Sequence, residues 1–84
     1  MEGDIVFNEV QTELKRIRDL YRPIHSTHEG YALLLEKFRE LEREVFSKPP
    51  SWDVVGIREE CIQVAAMSIR IILDCCSTDG EVPF

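Results

Sequence analysis

The residues with the clearest chemical potential are glutamates that recur at helical spacing in the middle of the chain. Glu36, Glu40 and Glu44 follow one another at intervals of four residues. On an α-helix, residues at this spacing have Cβ atoms about 6 Å apart, so Glu36 and Glu40 can bind one cation together. Glu29 falls on the same side of the helix, within about 80° of the other three. The row is therefore either a solvated acidic face or one half of a cation site.

Glu60 and Gln63 begin a second polar track, on a segment that is otherwise almost entirely apolar over residues 61–76. If the two helices pack antiparallel, Glu60 approaches the row that contains Glu36 and Glu40. Carboxylate oxygens from two facing helices are a common way of binding Mg²⁺ in a helical bundle. The two tracks together are thus candidates for one metal site.

Basic and aromatic residues near these tracks have two interpretations each. Arg58 and Arg70 flank the second track, and a guanidinium can bind phosphate oxygens. Arg70 can instead form an ion pair with Asp74, four residues later. His28 opens the helix that carries the glutamate row, where packing or capping suits it better than catalysis. Trp52, which follows two prolines, is expected to cover the end of the bundle rather than to stack on a base.

Three helices are needed to position these side chains, because the apolar residues recur at intervals of three and four. Asp4 is a candidate N-cap for the first helix, and Pro23 ends it. Its apolar stripe runs from Phe7 to Tyr21. The residues between the apolar positions, including Glu13, form a predicted solvated face.

The second helix begins with a capping box in which Ser26 is the N-cap and Glu29 occupies position N3. Two prolines at positions 49 and 50 end it. The third helix is apolar almost all round, which is typical of a helix at the centre of a bundle or between subunits. The apolar stripe of the second helix consists of Tyr31, Leu34, Leu35, Phe38, Leu41 and Val45.

We therefore predict one all-α domain over residues 1–84, with helices at about 4–22, 27–47 and 52–76. The tail from about residue 78 is expected to be frayed. A chain of 84 residues builds only a small core, yet 44% of its residues are hydrophobic. The three-helix unit is thus expected to pack into a helical-bundle homo-oligomer, either a homodimer or a homotetramer.

Composition argues against several classes of partner and compartment. The net charge is −6, from 16 acidic and 10 basic residues, so sequence-independent binding of nucleic acid is not expected. Three cysteines give no even disulfide framework and no zinc-binding spacing, which suits free thiols in a reducing cytoplasm. We expect no signal peptide, because the first residues lack a basic and an apolar region. No apolar run reaches the length of about 20 residues that a membrane span needs.

Two segments of the chain resemble a known family. Residues 28–36 read His-Glu-Gly-Tyr-Ala-Leu-Leu-Leu-Glu, with Glu40-Leu41 and Glu44-Val45 following. Residues 58–67 read Arg-Glu-Glu-Cys-Ile-Gln-Val-Ala-Ala-Met. These segments resemble the first and second conserved helices of the MazG-like nucleotide pyrophosphohydrolases, in particular their short phage and bacterial members. Together with their spacing they cover about half of the chain.

The resemblance implies an all-α dimer or higher oligomer that cleaves a nucleoside triphosphate between the α and β phosphates. The products are a monophosphate and pyrophosphate, and the reaction depends on Mg²⁺, or on Mn²⁺ in its place. The family binds the ion through a Glu-Glu-x-x-Glu run on one helix and a Glu-x-x-Asp pair on the next. Carried over to this chain, Glu36 and Glu40 are the expected catalytic residues, and with Glu60 and Gln63 they are the expected metal ligands. The expected phosphate-binding residues are Lys37, Arg58 and Arg70.

Two positions depart from the family pattern. Lys37 stands where the family has its middle acid, and Gln63 stands where it has an aspartate. An ammonium group opposes cation binding, and an amide oxygen brings no charge, so both exchanges weaken a metal site. The sequence thus leaves two functions open. One is a weak Mg²⁺-dependent nucleoside triphosphate pyrophosphohydrolase, and the other is a non-catalytic homo-oligomer that binds or regulates.

Overall fold

A computed structural model describes residues 1–47 and 54–76, and these residues form three α-helices without any strand. Helix α1 spans Glu2–Leu20, α2 spans Thr27–Val45 and α3 spans Val54–Cys75. The all-α prediction is confirmed for this part of the chain. None of the three helices has the combination of length and low polarity that crossing a bilayer requires.

The helix boundaries differ from the predicted ones by a few residues. Asp4 is not the N-cap of α1, because the helix already begins at Glu2 with Met1 in the capping position. Asp4 lies in the first turn instead, where its charge interacts favourably with the helix dipole. The helix ends before residue 22 because Tyr21 has extended backbone, with φ −124° and ψ 151°. The predicted start of the third helix at residue 52, Trp52 and the tail from about 78 lie outside the described residues.

The N-terminus of α2 is capped as predicted. The Ser26 hydroxyl accepts a hydrogen bond of 3.1 Å from the backbone N–H of Glu29. The Glu29 carboxylate accepts from the backbone N–H of His25 at 2.8 Å, one residue before the N-cap. It also accepts from the Arg22 guanidinium at 2.7 Å. Arg22, followed by the His25 N–H, lowers the pKa of Glu29 to about 2.

Helix α3 lies between the other two helices and packs against both, whereas α1 and α2 make no helix–helix contact with each other. Two ion pairs, Arg58–Glu9 and Arg18–Asp74, join α3 to α1. The earlier residue of α1 pairs with the earlier residue of α3, so helices α1 and α3 run parallel. The core forms where Val10 of α1 packs on α3, and its buried members are Val10, Ile17 and Ala66.

Helix α2 is rotated about its axis relative to the prediction. Tyr31 and Phe38 of the predicted core stripe are 65% and 52% exposed. Glu40 and Glu44, predicted to lie opposite this stripe on either a solvated face or one half of a cation site, are half-buried. The physical reason is the buried Gly30, which lets α2 approach α3 closely and fixes the face that it presents. The ends of the α1 stripe, Phe7 and Tyr21, are exposed as well.

The close approach of α2 to α3 is measured at Gly30, where a Cβ atom would lie 2.9 Å from Cγ1 of Ile71. We therefore expect Gly30→Ala to destabilise the fold by about 1 kcal/mol. Overpacking costs about 1–3 kcal/mol, and the higher helix propensity of alanine offsets only part of this loss of stability. The matched control is Gly3→Ala in α1, where no atom lies within 4 Å of the new Cβ. Denaturant melts in which Gly30→Ala is as stable as Gly3→Ala would contradict the packing.

Candidate functional site

Two of the predicted metal ligands meet where α2 packs antiparallel to α3. The Glu40 side chain of α2 interacts with the Glu60 carboxylate of α3. Burial raises the pKa of Glu60, and the neighbouring charge and hydrogen bond of Glu40 raise it further. One carboxylate oxygen of Glu60, Oε2, is buried without a hydrogen-bond partner. The pair is thus an acidic contact with an unsatisfied acceptor.

Lys37 supplies the positive charge within this cluster. Its Nζ lies 3.6 Å from Oε2 of Glu40. Its positive charge acts to lower the pKa of Glu60, which opposes the increase caused by burial and by Glu40. The same charge contributes to the lowered pKa of Glu13 on α1. An acid from each of the three helices therefore interacts with one ammonium group. That group compensates some of the charge that a cation would otherwise compensate.

Gln63 contacts α1 rather than the glutamates of α2. Its Nε2 donates a hydrogen bond of 2.6 Å to Oε2 of Glu13. Arg16 donates to the same carboxylate at 2.6 and 3.0 Å, and this contact, followed by Gln63, lowers the pKa of Glu13. The prediction that Glu13 belongs to a solvated face is wrong, since its side chain is only 15% exposed. The parallel register of α1 on α3 causes the burial, and no local pattern in the sequence indicates it.

A groove of about 340 Å³ lies between α1 and α2 over the surface of α3. It brings together four of the seven predicted site residues, because Glu36, Lys37, Gln63 and Arg70 all line it. Glu36 itself is exposed. Side chains of α1 and of the turn after it add further positive charge and an aromatic ring. These additional lining residues, which were not predicted, include Arg16, Tyr21 and Arg22.

Arg58 lies away from this groove. Its Nη1 donates to Oε1 of Glu9 at 2.7 Å, and its Nη2 makes a second bond to the same carboxylate. This bidentate contact raises the pKa of Arg58 and lowers that of Glu9. Arg58 lines a second concavity between α1 and α3, which shares Gln63 with the groove.

Arg70 is buried at the base of the groove and is 5% exposed. Its Nη2 donates to the backbone carbonyl of Arg22 at 2.8 Å, and its guanidinium lies 5.9 Å from the centre of the Tyr21 ring. The predicted pair with Asp74 is confirmed, with Nε 3.6 Å from Oδ2. Asp74 also accepts from the backbone N–H of Ile24 at 3.0 Å. Arg70 thus holds the connection between α1 and α2 against α3, a contact that the sequence did not indicate.

The donor set favours a cation at one point and opposes it at another. Hard carboxylate oxygens suit Mg²⁺, and the unpartnered oxygen of Glu60 beside Glu40 fits such an ion. Lys37 works against it in the same cluster. Among the residues that the structure describes, no three acidic, histidine or cysteine side chains are grouped so as to hold a metal. All three cysteines are free thiols, as predicted.

Replacing Glu60 with glutamine should raise the melting temperature by a few degrees at neutral pH in the absence of divalent cations. Because the folded chain raises the pKa of Glu60 above its ordinary value, the charged form of Glu60 costs stability. That cost is absent below the unfolded pKa and develops as the pH rises through the folded pKa. Glutamine remains neutral throughout, so the stabilisation should shrink at about pH 4. Glu59→Gln, at an exposed neighbouring position, is the control. If Glu60→Gln raised the melting temperature equally at neutral pH and at about pH 4, the contact between Glu60 and Glu40 would be contradicted.

No family model, no curated protein and no solved structure matches this chain. The resemblance to the MazG-like pyrophosphohydrolases therefore rests on the two segments at residues 28–45 and 58–67, and it stays a prediction.

Proposed function

We propose that this chain is a weak, Mg²⁺-dependent nucleoside triphosphate pyrophosphohydrolase of the MazG-like type that works as a homodimer or homotetramer. The observation that carries the proposal is the approach of Glu40 to Glu60 across α2 and α3, next to a groove lined by basic side chains. A carboxylate pair beside cationic residues is what a polyphosphate substrate with its metal requires. Free thiols at all three cysteines favour the cytoplasm as its location.

The side chains of the groove divide into three roles under this proposal. Arg16 and Lys37 lie where they can bind phosphate oxygens, and Tyr21 offers an exposed ring to the rest of the nucleotide. Glu36, which is exposed at the groove, is the proposed acceptor of a proton from the attacking water. Glu40 and Glu60 are the ligands for Mg²⁺, which when bound neutralises charge on the phosphate oxygens.

A second candidate function is a non-catalytic homo-oligomer of the same fold that acts as a binding or regulatory protein. Two contacts favour it. Lys37 already pairs with Glu40, and Gln63 directs its amide N–H toward Glu13. An acidic cluster that carries its own ammonium group has less need of a divalent cation. The groove and its basic residues can then bind an anionic ligand without turning it over.

Calorimetric titration with Mg²⁺ and Mn²⁺, combined with pyrophosphate release from a panel of nucleoside triphosphates, separates the two. The hydrolase predicts heat on metal addition and turnover that Glu40→Gln abolishes. Glu42→Gln, an exposed glutamate on the same helix, is the matched control and should keep wild-type turnover. If neither heat on metal addition nor turnover is detected at high protein concentration, the hydrolase proposal is wrong. If turnover is lost in Glu40→Gln and kept in Glu42→Gln, the non-catalytic function is excluded.

A further inference from the structure

The surface opposite the groove exposes several apolar side chains. Tyr31 and Phe38 of α2 and Ile72 of α3 are 65%, 52% and 55% exposed there, and Cys61 and Ile69 of α3 are exposed beside them. We name these five residues the outer face. None of them lines the groove, whose α2 and α3 walls are built from other positions, such as Lys37 and Arg70.

The outer face is continuous because α2 and α3 run antiparallel. The contacts of Gly30 with Ile71 and of Glu40 with Glu60 fix the register of the two helices. Tyr31 therefore lies alongside the turn that contains Ile72, and Phe38 lies alongside the turn that contains Cys61. On each helix, Tyr31, Phe38, Cys61 and Ile72 are about 80–100° from the direction of the partner helix, on the side away from the groove. Ile69 lies further round α3, at about 160°.

Charge identifies the kind of partner that this face fits. The outward positions of α3, which are Cys61, Ala65, Ser68 and Ile72, include no charged residue. The whole chain has a net charge of −6, so two copies repel each other wherever their acidic surfaces meet. The α3 half of the outer face is thus the part of this surface that a second copy can approach without that repulsion, whereas on α2 the exposed Glu42 lies one turn from Phe38.

The exposed area is also of the size that a dimer needs. Exposed Tyr, Phe and Ile side chains of this kind offer on the order of 100 Å² each, so the outer face offers roughly 400–500 Å² of apolar area per copy. A standard interface buries about 800 Å² per partner, and somewhat more than half of that is apolar. The buried hydrophobic residues in the described part of the chain are only five in number, so burial of this face adds substantially to the core.

We propose that a second copy of this chain docks on the outer face through a two-fold interface, so that α2 and α3 of both copies form a four-helix layer. The proposal rests on the self-association included in the proposed function and assigns it to a surface. Because the interface is isologous, each residue of the outer face contributes twice. The grooves of the two copies remain open on opposite sides of the dimer.

Multi-angle light scattering of Ile72→Glu tests the surface. A buried glutamate at a two-fold interface places two like charges in one apolar contact, so the variant should be monomeric at concentrations where the wild type is dimeric. Ile5→Glu is the matched control, since Ile5 of α1 is 58% exposed but lies away from the outer face, and it should remain dimeric. Circular dichroism establishes that both variants keep their helices.

Thiol labelling gives a second readout that needs no substitution at the interface. Cys61 is exposed in the single chain, so it should react quickly at low protein concentration and at least tenfold more slowly when the dimer forms. Cys75 donates to the carbonyl of Ile24 at 3.8 Å, and burial raises its pKa, so it should react slowly throughout. Labelling of Cys61 at one rate across a wide dilution series would overturn the proposal.

The outcomes separate this surface from the proposed activity. A wild type that is dimeric, together with an Ile72→Glu variant that stays dimeric, overturns the outer face as the interface. A wild type that is monomeric at all concentrations overturns both the face and the self-association. A dimer that Ile72→Glu dissociates supports the face, whether or not pyrophosphate is released.

Discussion

Replacing Lys37 with glutamate should increase the affinity of the chain for Mg²⁺ at least tenfold. The ammonium group of Lys37 lies 3.6 Å from a carboxylate oxygen of Glu40 and acts electrostatically on Glu13 and Glu60. The exchange removes a repulsive charge and adds an oxygen ligand at the same position. A tenfold change corresponds to about 1.4 kcal/mol, which is modest for a charge reversal in a half-buried cluster.

The same exchange should make stability depend on the ion. Without divalent cations, Lys37→Glu crowds a further negative charge against its neighbours and should lower the melting temperature. Adding Mg²⁺ should then raise it more than in the wild type, because a ligand that binds only the folded state stabilises it by mass action. Melts with chelator and with Mg²⁺, together with calorimetry, measure both effects.

Two further variants isolate the cause. Lys37→Gln removes the positive charge without adding a ligand, so its Mg²⁺ affinity should lie between those of the wild type and Lys37→Glu. Lys15→Glu makes the same charge reversal on the exposed surface of α1 and should leave Mg²⁺ binding unchanged. If Mg²⁺ binds the wild type and all three variants with one affinity, the cation site does not lie in this cluster.

Asp74→Ala should be the most destabilising substitution, at about 3–5 kcal/mol. The Asp74 side chain is 4% exposed and interacts with Arg70 of its own helix, Arg18 of α1 and the backbone N–H of Ile24. Its removal leaves the buried Arg70 without a counter-charge. The loss of folding free energy is then far larger than the net contribution of the intact pair to stability. Such a loss is a large share of the stability of a domain this small.

The control for this substitution is Asp19→Ala. Asp19 also forms an ion pair, with Lys15 at 2.8 Å, but both side chains are more than half exposed. Water screens such a pair, and its loss should change stability by less than about 1 kcal/mol. Urea unfolding of both variants makes the comparison, and similar midpoints for the two would mean that Asp74 does not hold the helices together.

Features that depend on local sequence were predictable. The periodic apolar residues gave the three helices, and the Ser26 cap is correct because its hydrogen bond joins residues only three apart. The pair Arg70–Asp74 is likewise set by helical spacing. The meeting of Glu40 with Glu60 followed from a single assumption, that α2 and α3 pack antiparallel.

Features that depend on how the helices are rotated against each other were not predictable. Wheel geometry placed Phe38 in the core and Glu44 on the opposite side of the helix, whereas packing at Gly30 turned Phe38 outward. Glu13 became buried because α1 runs parallel to α3 in a particular register. The groove has the same origin, since its walls come from helices that do not touch each other in the described chain.

The central position of α3 has a consequence for synthesis of the chain. The contacts that join α3 to the rest are long-range, with about 50 residues separating Glu13 from Gln63 and Ile24 from Asp74. While a ribosome is still making α3, the segments of α1 and α2 have no tertiary partner in the described fold. Isolated helices of this length are marginal in water. Folding is therefore expected to wait until α3 leaves the exit tunnel, and nascent chains arrested at residue 47 should be as protease-sensitive as an unfolded peptide.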